Sequence, residues 1–152
     1  MFEWLENTSV AIWVGESLWA YPFMLSLHVI GLAIVVGILS MIDFKLLGGF
    51  RGIKVDSMLP LLKFAWIGFL INAVSGVFLF TSQASYFATS TVFLIKLGCI
   101  FIGAILTKVM QNQLVAAGAA GNAEGVSMKG LAVVSLLLWL VAITAGRLTA
   151  YI

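Results

Sequence analysis

The segment LWAYPFMLSLHVIGLAIVVGILSMI, at positions 18–42, decides the fold of this chain. Its only His, Asp, Glu, Lys or Arg residue is His28, and apolar side chains fill almost all of the rest. An α-helix needs roughly 20 mostly apolar residues to cross about 30 Å of hydrocarbon. The segment therefore predicts a membrane-spanning helix.

Three further segments of the chain have the same character, at about 61–80, 92–109 and 131–152. They are too long for the strands of a membrane β-barrel and lack the alternation of apolar and polar residues that such strands show. The sequence thus predicts an all-α, polytopic membrane protein. We expect a four-transmembrane-helix bundle that forms a single integral membrane domain over residues 1–152.

The composition excludes several classes of protein. Hydrophobic residues make up 62% of the chain and charged residues 9%, whereas soluble domains are about 45–50% apolar and about 25% charged. A single cysteine excludes a disulfide scaffold, and a net charge of +2 provides no basic surface for nucleic acid. The expected partner is the lipid bilayer. The sequence shows neither the nucleophile–base pair of a hydrolase nor the phosphate-binding loop of a kinase.

The basic residues of the predicted loops predict the orientation. They fall between the first and second spans and between the third and fourth, at Lys45, Arg51, Lys54, Lys63, Lys108 and Lys129. The remaining loop is uncharged and the N-terminal segment is acidic. Because basic loops stay in the cytoplasm, we expect both termini to be periplasmic in a bacterial inner membrane.

Two segments outside the spans have a distinctive composition. Residues 2–16 combine aromatic and acidic side chains without a basic start, which is typical of an interfacial amphipathic helix rather than a signal peptide. Residues 111–130 are rich in alanine and glycine and predict a flexible linker.

Lys63 and Lys108 lie at span ends next to the basic loops, and three further ionisable residues lie inside predicted spans, where they are expensive to place. His28 lies roughly 15 Å from the outer start of the first span at 1.5 Å per residue. Lys96 and Arg147 lie roughly 6 Å and 7 Å from the same face by the same rise. Two cations in one shallow layer above a single histidine predict a common site.

This arrangement suits a haem b that stands parallel to the helices. His28 would be the axial metal ligand, and Lys96 and Arg147 would pair with the two propionates. Gly31, one turn after His28, would leave room for the flat macrocycle. The chain has no second histidine, so we expect five-coordinate iron or a second His28 supplied by a homo-oligomer. The resulting hypothesis is a small haem protein for electron transfer or haem-linked redox chemistry near the periplasmic leaflet.

Other interpretations of the same residues stay open. His28 could instead hydrogen-bond to Asn72 or Ser75 in a non-catalytic scaffold or assembly protein, while Lys96 and Arg147 extend to the headgroups. Glu16 could pair with either cation. A copper-handling role for His28 is the third interpretation. The sequence identifies no redox partner.

The second predicted span carries small and polar residues at intervals of four. These are Gly68, Asn72 and Gly76, with Ser75 beside them. Such a stripe lets two membrane helices approach closely and bond through polar groups. We expect it to be a helix-packing surface.

Two motifs carry a resemblance to a known family. The chain has Glu16-Ser17-Leu18-Trp19-Ala20-Tyr21-Pro22 and then Leu27-His28-Val29-Ile30-Gly31-Leu32, followed by Asp43 and a leucine-rich turn. It resembles an uncharacterised family of small bacterial four-span inner-membrane proteins, which implies the same fold but no activity. More distantly it is similar to copper-resistance membrane proteins and b-type cytochromes, which usually carry several histidines.

Overall fold

The computed structural model describes residues 2–121, 127–149 and 151, and every regular element in this part of the chain is an α-helix. In chain order the helices are α1 (Glu3–Glu6), α2 (Ser9–Glu16), α3 (Ala20–Leu46), α4 (Val55–Met58), α5 (Leu61–Ser82), α6 (Ala84–Thr89), α7 (Thr91–Ala119) and α8 (Lys129–Leu148). Four helical stretches are long and apolar enough to cross a membrane: α3, α4 with α5, α7 and α8. The predicted all-α polytopic bundle is confirmed.

The four long helices pack as two pairs. Helix α3 packs along α5, α7 packs along α8, and the contact of α3 with α8 joins the pairs. Small residues bring α3 and α5 together, since a Cβ atom added to Gly31 would lie 2.7 Å from the Gly68 carbonyl oxygen. The predicted packing role of the small-residue stripe on α5 is confirmed.

Three of the short helices, α1, α2 and α6, gather at one end of the bundle, which we call the α6 end. A carboxylate oxygen of Glu6 accepts a hydrogen bond from the Ser85 backbone N–H at 2.7 Å, which ties the N-terminal segment to α6. The Tyr86 hydroxyl lies 3.4 Å from the Thr149 carbonyl oxygen, beyond the last turn of α8. The opposite end, with the loop between α3 and α4, carries Lys45, Arg51 and Lys54 and is called the basic end.

The N-terminal segment differs from the single interfacial helix predicted over residues 2–16. It forms two short helices with a break at Asn7 and Thr8, because the Thr8 hydroxyl caps α2 by accepting a hydrogen bond from the Ala11 N–H at 3.3 Å. Val14 is fully buried, while Trp4 and Trp13 are exposed. The segment therefore packs on the bundle with one face and leaves aromatic side chains outside.

The third span is longer than predicted. Helix α7 continues to Ala119, so the prediction of a flexible linker is wrong over 111–119. The extension is anchored because Leu114 is buried against the apolar core at the basic end, together with Met110. The rest of the predicted linker lies partly in 122–126, outside the described residues. Helix α8 ends at Leu148, and positions 150 and 152 of the predicted fourth span are likewise outside the description.

Candidate functional site

His28 lies on the face of α3 that contacts α5. Its Nδ1 atom is 2.9 Å from the backbone carbonyl oxygen of Asn72. Because a carbonyl can only accept, Nδ1 carries the hydrogen and donates it. In a neutral ring, Nε2 is then the unprotonated nitrogen. Among the described residues, none forms a hydrogen bond with Nε2.

Polar groups of α5 contact both the backbone and the ring of His28. The Asn72 side-chain amide donates to the His28 carbonyl oxygen at 2.7 Å, and the Ser75 hydroxyl lies 3.3 Å from Nδ1. The Ser75 hydroxyl donates to the Ile71 carbonyl oxygen at 2.6 Å. The contact of His28 with Asn72 and Ser75 that one interpretation of the sequence predicted is therefore confirmed.

Gly76 makes room for the imidazole. A Cβ atom added at this position would lie 3.0 Å from Cε1 and 3.2 Å from Nδ1 of His28, closer than ordinary packing allows. A glycine one turn after Asn72 thus lets the ring approach α5 closely. The sequence pointed to Gly76 as a packing residue, and its particular neighbour is the ring of His28.

A cavity of about 750 Å³ lies beside His28, between the two helix pairs. Its walls come from α3, α5, α7 and α8 and from the segment around α6. Lys96 of α7 lines it on the side opposite α5. The structure therefore brings His28 and Lys96, two of the predicted site residues, to one space.

Aromatic rings form much of the wall of this cavity towards the α6 end. Phe93 stacks on Phe80 and Phe87 at ring-centroid distances of 5.6 Å and 5.2 Å. Phe69 lies towards the middle of the bundle and also borders a much smaller void on its other side. The cavity is thus a mainly apolar space with few polar groups.

Lys96 is half-buried rather than extended into the surroundings of the bundle. Its Nζ atom lies 5.9 Å from the centre of the Phe93 ring, a cation–π contact. A Cβ atom added at Gly146 of α8 would lie 3.4 Å from both Cε and Nζ of Lys96. Gly146 therefore leaves the space that the lysine side chain occupies.

The other two predicted site residues lie elsewhere. Arg147 is exposed and does not line the cavity, although its neighbour Gly146 does. Gly31 is buried against the backbone of α5 and is not a lining residue. Its missing side chain serves the contact of α3 with α5, and the expectation that Gly31 leaves room for a macrocycle stays a prediction.

Several lining residues were not singled out by sequence reasoning. Polar groups at the α6 end of the cavity come from Tyr21, Gln83, Tyr86 and Thr149. The signal was present in the uncharged segment 81–91, TSQASYFATST, which combines polar and aromatic residues between two spans. Its position at the mouth of the cavity depends on the packing of α6, which no local pattern determines.

One interpretation of the sequence paired Glu16 with Lys96 or Arg147. Within residues 2–121, 127–149 and 151, no ion pair joins Glu16 to Lys96 or Arg147. The same part of the chain contains no group of three or more His, Cys, Asp or Glu side chains that could hold a metal ion.

Comparison of the chain with family models, with curated proteins and with solved structures gives no match in any of the three.

Proposed function

We propose that this protein binds one haem b in the cavity beside His28 and serves electron transfer or haem-linked redox chemistry. The observation that carries the proposal is the state of His28. Its Nδ1 donates to a backbone carbonyl, and the ring borders a cavity of ligand size. Histidines that bind metals almost always donate their other ring N–H to a carboxylate, a carbonyl or water.

The cavity fits a flat, largely apolar cofactor. Its volume of about 750 Å³ falls within the roughly 300–1,000 Å³ of cofactor and ligand sites in proteins. The rings of Phe69, Phe80 and Phe93 offer apolar and stacking surfaces. Lys96 is the cation at the site and would pair with one propionate, while Tyr21 and Tyr86 offer hydroxyl groups for the other.

The residues of the site would have different roles. The Asn72 carbonyl fixes the tautomer of His28 and keeps Nε2 free for the iron. The aromatic side chains exclude water, and Lys96 offsets the negative charge of a carboxylate. A haem bound there would supply one-electron oxidation and reduction.

The proposal also includes the source of a second iron ligand and the position of the cavity in the membrane. The sequence contains only one histidine, so the iron would be five-coordinate or would take His28 of a second copy in a homo-oligomer. Because the basic end would face the cytoplasm, the cavity would lie towards the periplasmic leaflet of a bacterial inner membrane.

A haem titration of the detergent-purified protein tests the proposal. Added haem should give a saturable Soret band at one haem per chain, or at one per two chains if two copies share it. The His28→Ala variant should give no such band. A titration curve that His28→Ala leaves unchanged would contradict the assignment of the axial ligand.

A scaffold function is the second candidate, and one observation favours it. The reciprocal hydrogen bonds between His28 and Asn72 join α3 to α5 without needing any ligand. A protein of this kind would be colourless after expression with added haem precursor, and His28→Ala would change its thermal stability but not its oligomeric size.

A further inference from the structure

A buried carboxyl group lies near the basic end, away from the cavity of His28. Asp43, one turn before the end of α3, has only 2% of its surface exposed. Its Oδ2 atom is buried and has no hydrogen-bond partner among the described residues. A buried carboxylate oxygen without a partner is costly, so this group needs an explanation that the haem proposal does not provide.

Oxygen-bearing side chains from two other helices surround this carboxyl. Ser135 of α8 is 2% exposed and borders the same small void as Asp43. Thr107 and Gln111 of α7 border the same space. The Thr107 hydroxyl donates to the Gly103 carbonyl oxygen at 2.8 Å, which leaves its lone pairs available.

The space that these groups share is very small. The void bordered by Asp43, Thr107, Gln111 and Ser135 measures about 10 Å³. A void of about 10–15 Å³ is the minimum for one water molecule. Apolar side chains, among them Leu39, Ile42 and Leu114, complete its walls. The void can hold one water molecule or one ion of similar size.

We propose that this void is a binding site for one monovalent cation of the size of sodium. The Oδ2 atom of Asp43 would be the charged ligand, and the hydroxyl oxygens of Ser135 and Thr107 would be neutral ligands. Hard cations prefer oxygen ligands of these kinds. The ion would join α3, α7 and α8 at the place where the two helix pairs meet.

The charge of the site selects the class of ion. One carboxylate balances one positive charge, whereas a divalent ion would leave a net charge in an apolar interior. The small void excludes organic cations. A bound ion thus satisfies both the charge and the unpartnered oxygen of Asp43.

Thermal unfolding of the full-length protein in detergent tests this site. The melting temperature is measured over a series of sodium chloride concentrations, with choline chloride keeping the ionic strength constant and the pH fixed. We expect a saturable rise of roughly 2–8 °C for the wild type. Asp43→Asn should abolish the rise, and Asp56→Asn, at an exposed carboxylate of α4, should retain it.

Ser135→Ala keeps the test decisive if Asp43→Asn does not fold. This variant retains the carboxylate but lacks one neutral ligand. The sodium concentration that gives half of the maximal rise in melting temperature should therefore increase several-fold. Equal melting temperatures in sodium and choline would overturn the proposal. A sodium effect that persists in Asp43→Asn, or a dependence on pH without one on sodium, would overturn it as well.

Discussion

The Asn72 backbone accepts a hydrogen bond from the His28 ring at 2.9 Å, and the Asn72 side chain donates one to the His28 backbone at 2.7 Å. This exchange fixes both the position of α3 against α5 and the tautomer of the only histidine in the chain. One pair of residues therefore connects the packing of two membrane helices with the chemistry of the candidate site.

Gly76→Ala should displace the imidazole, because the new methyl group would lie 3.0 Å from Cε1 of His28. We expect haem affinity to fall at least tenfold, which corresponds to about 1.4 kcal/mol of binding free energy. A haem titration measures the change. Gly98→Ala on α7 is the matched control, since nothing lies within 4 Å of its added Cβ atom, and it should bind haem as the wild type does.

Lys96→Met and Arg147→Met should differ in their effect on haem binding. Lys96 lines the cavity, whereas Arg147 is exposed outside it. Removing the half-buried positive charge of Lys96 should weaken haem binding several-fold, and removing the exposed charge of Arg147 should leave the titration unchanged. Equal losses in the two variants would favour the original expectation from the sequence, in which both cations pair with propionates.

Gly31→Ala should destabilise the bundle, since its Cβ atom would lie 2.7 Å from the Asn72 backbone nitrogen and from the Gly68 carbonyl oxygen. Overpacking of this kind costs about 1–3 kcal/mol. Thermal unfolding in detergent should show a clear decrease in melting temperature. Gly37→Ala, on an open face of the same helix, should leave it unchanged or raise it, because alanine favours a helix over glycine by about 1 kcal/mol.

Trp66→Phe should loosen the contact between α5 and α7. The Trp66 indole N–H donates to the Gln111 side-chain oxygen at 3.0 Å, and phenylalanine keeps an aromatic ring but lacks this donor. We expect a loss of about 0.6 kcal/mol, the average for such bonds between membrane helices. Chemical or thermal unfolding detects the loss. Trp13→Phe, at an exposed position, should have no comparable effect.

The sequence predicts the class of fold because apolar runs long enough to cross a bilayer have few alternative structures. The first span was expected at about 18–42 and forms a helix over Ala20–Leu46. The end of α7 was missed because Leu114 is held by tertiary packing. Alanine and glycine around it suggested a linker, and composition does not reveal such a contact.

The candidate site was partly predictable. Depth along the helices predicted that Lys96 and the deeper His28 belong to one site, since the rise per residue is fixed. Depth does not determine which way a side chain faces, so Arg147 was assigned to the same site but is exposed outside the cavity. Gly31 was assigned to a cofactor surface because its contact with α5 depends on how two helices pair. The void at Asp43 is lined by residues of four helices, α3, α5, α7 and α8, so no single segment of the sequence indicates it.

The absorption spectrum of the purified protein tests the central claim most directly. The protein is expressed with added haem precursor, purified in mild detergent, and measured oxidised and after reduction with dithionite. The account predicts a Soret band that shifts on reduction, with sharp α and β bands in the reduced protein where a second copy supplies its His28. These features should be lost in His28→Ala and retained in Gly98→Ala. A flat spectrum from a folded protein, or a Soret band that survives His28→Ala, would contradict it.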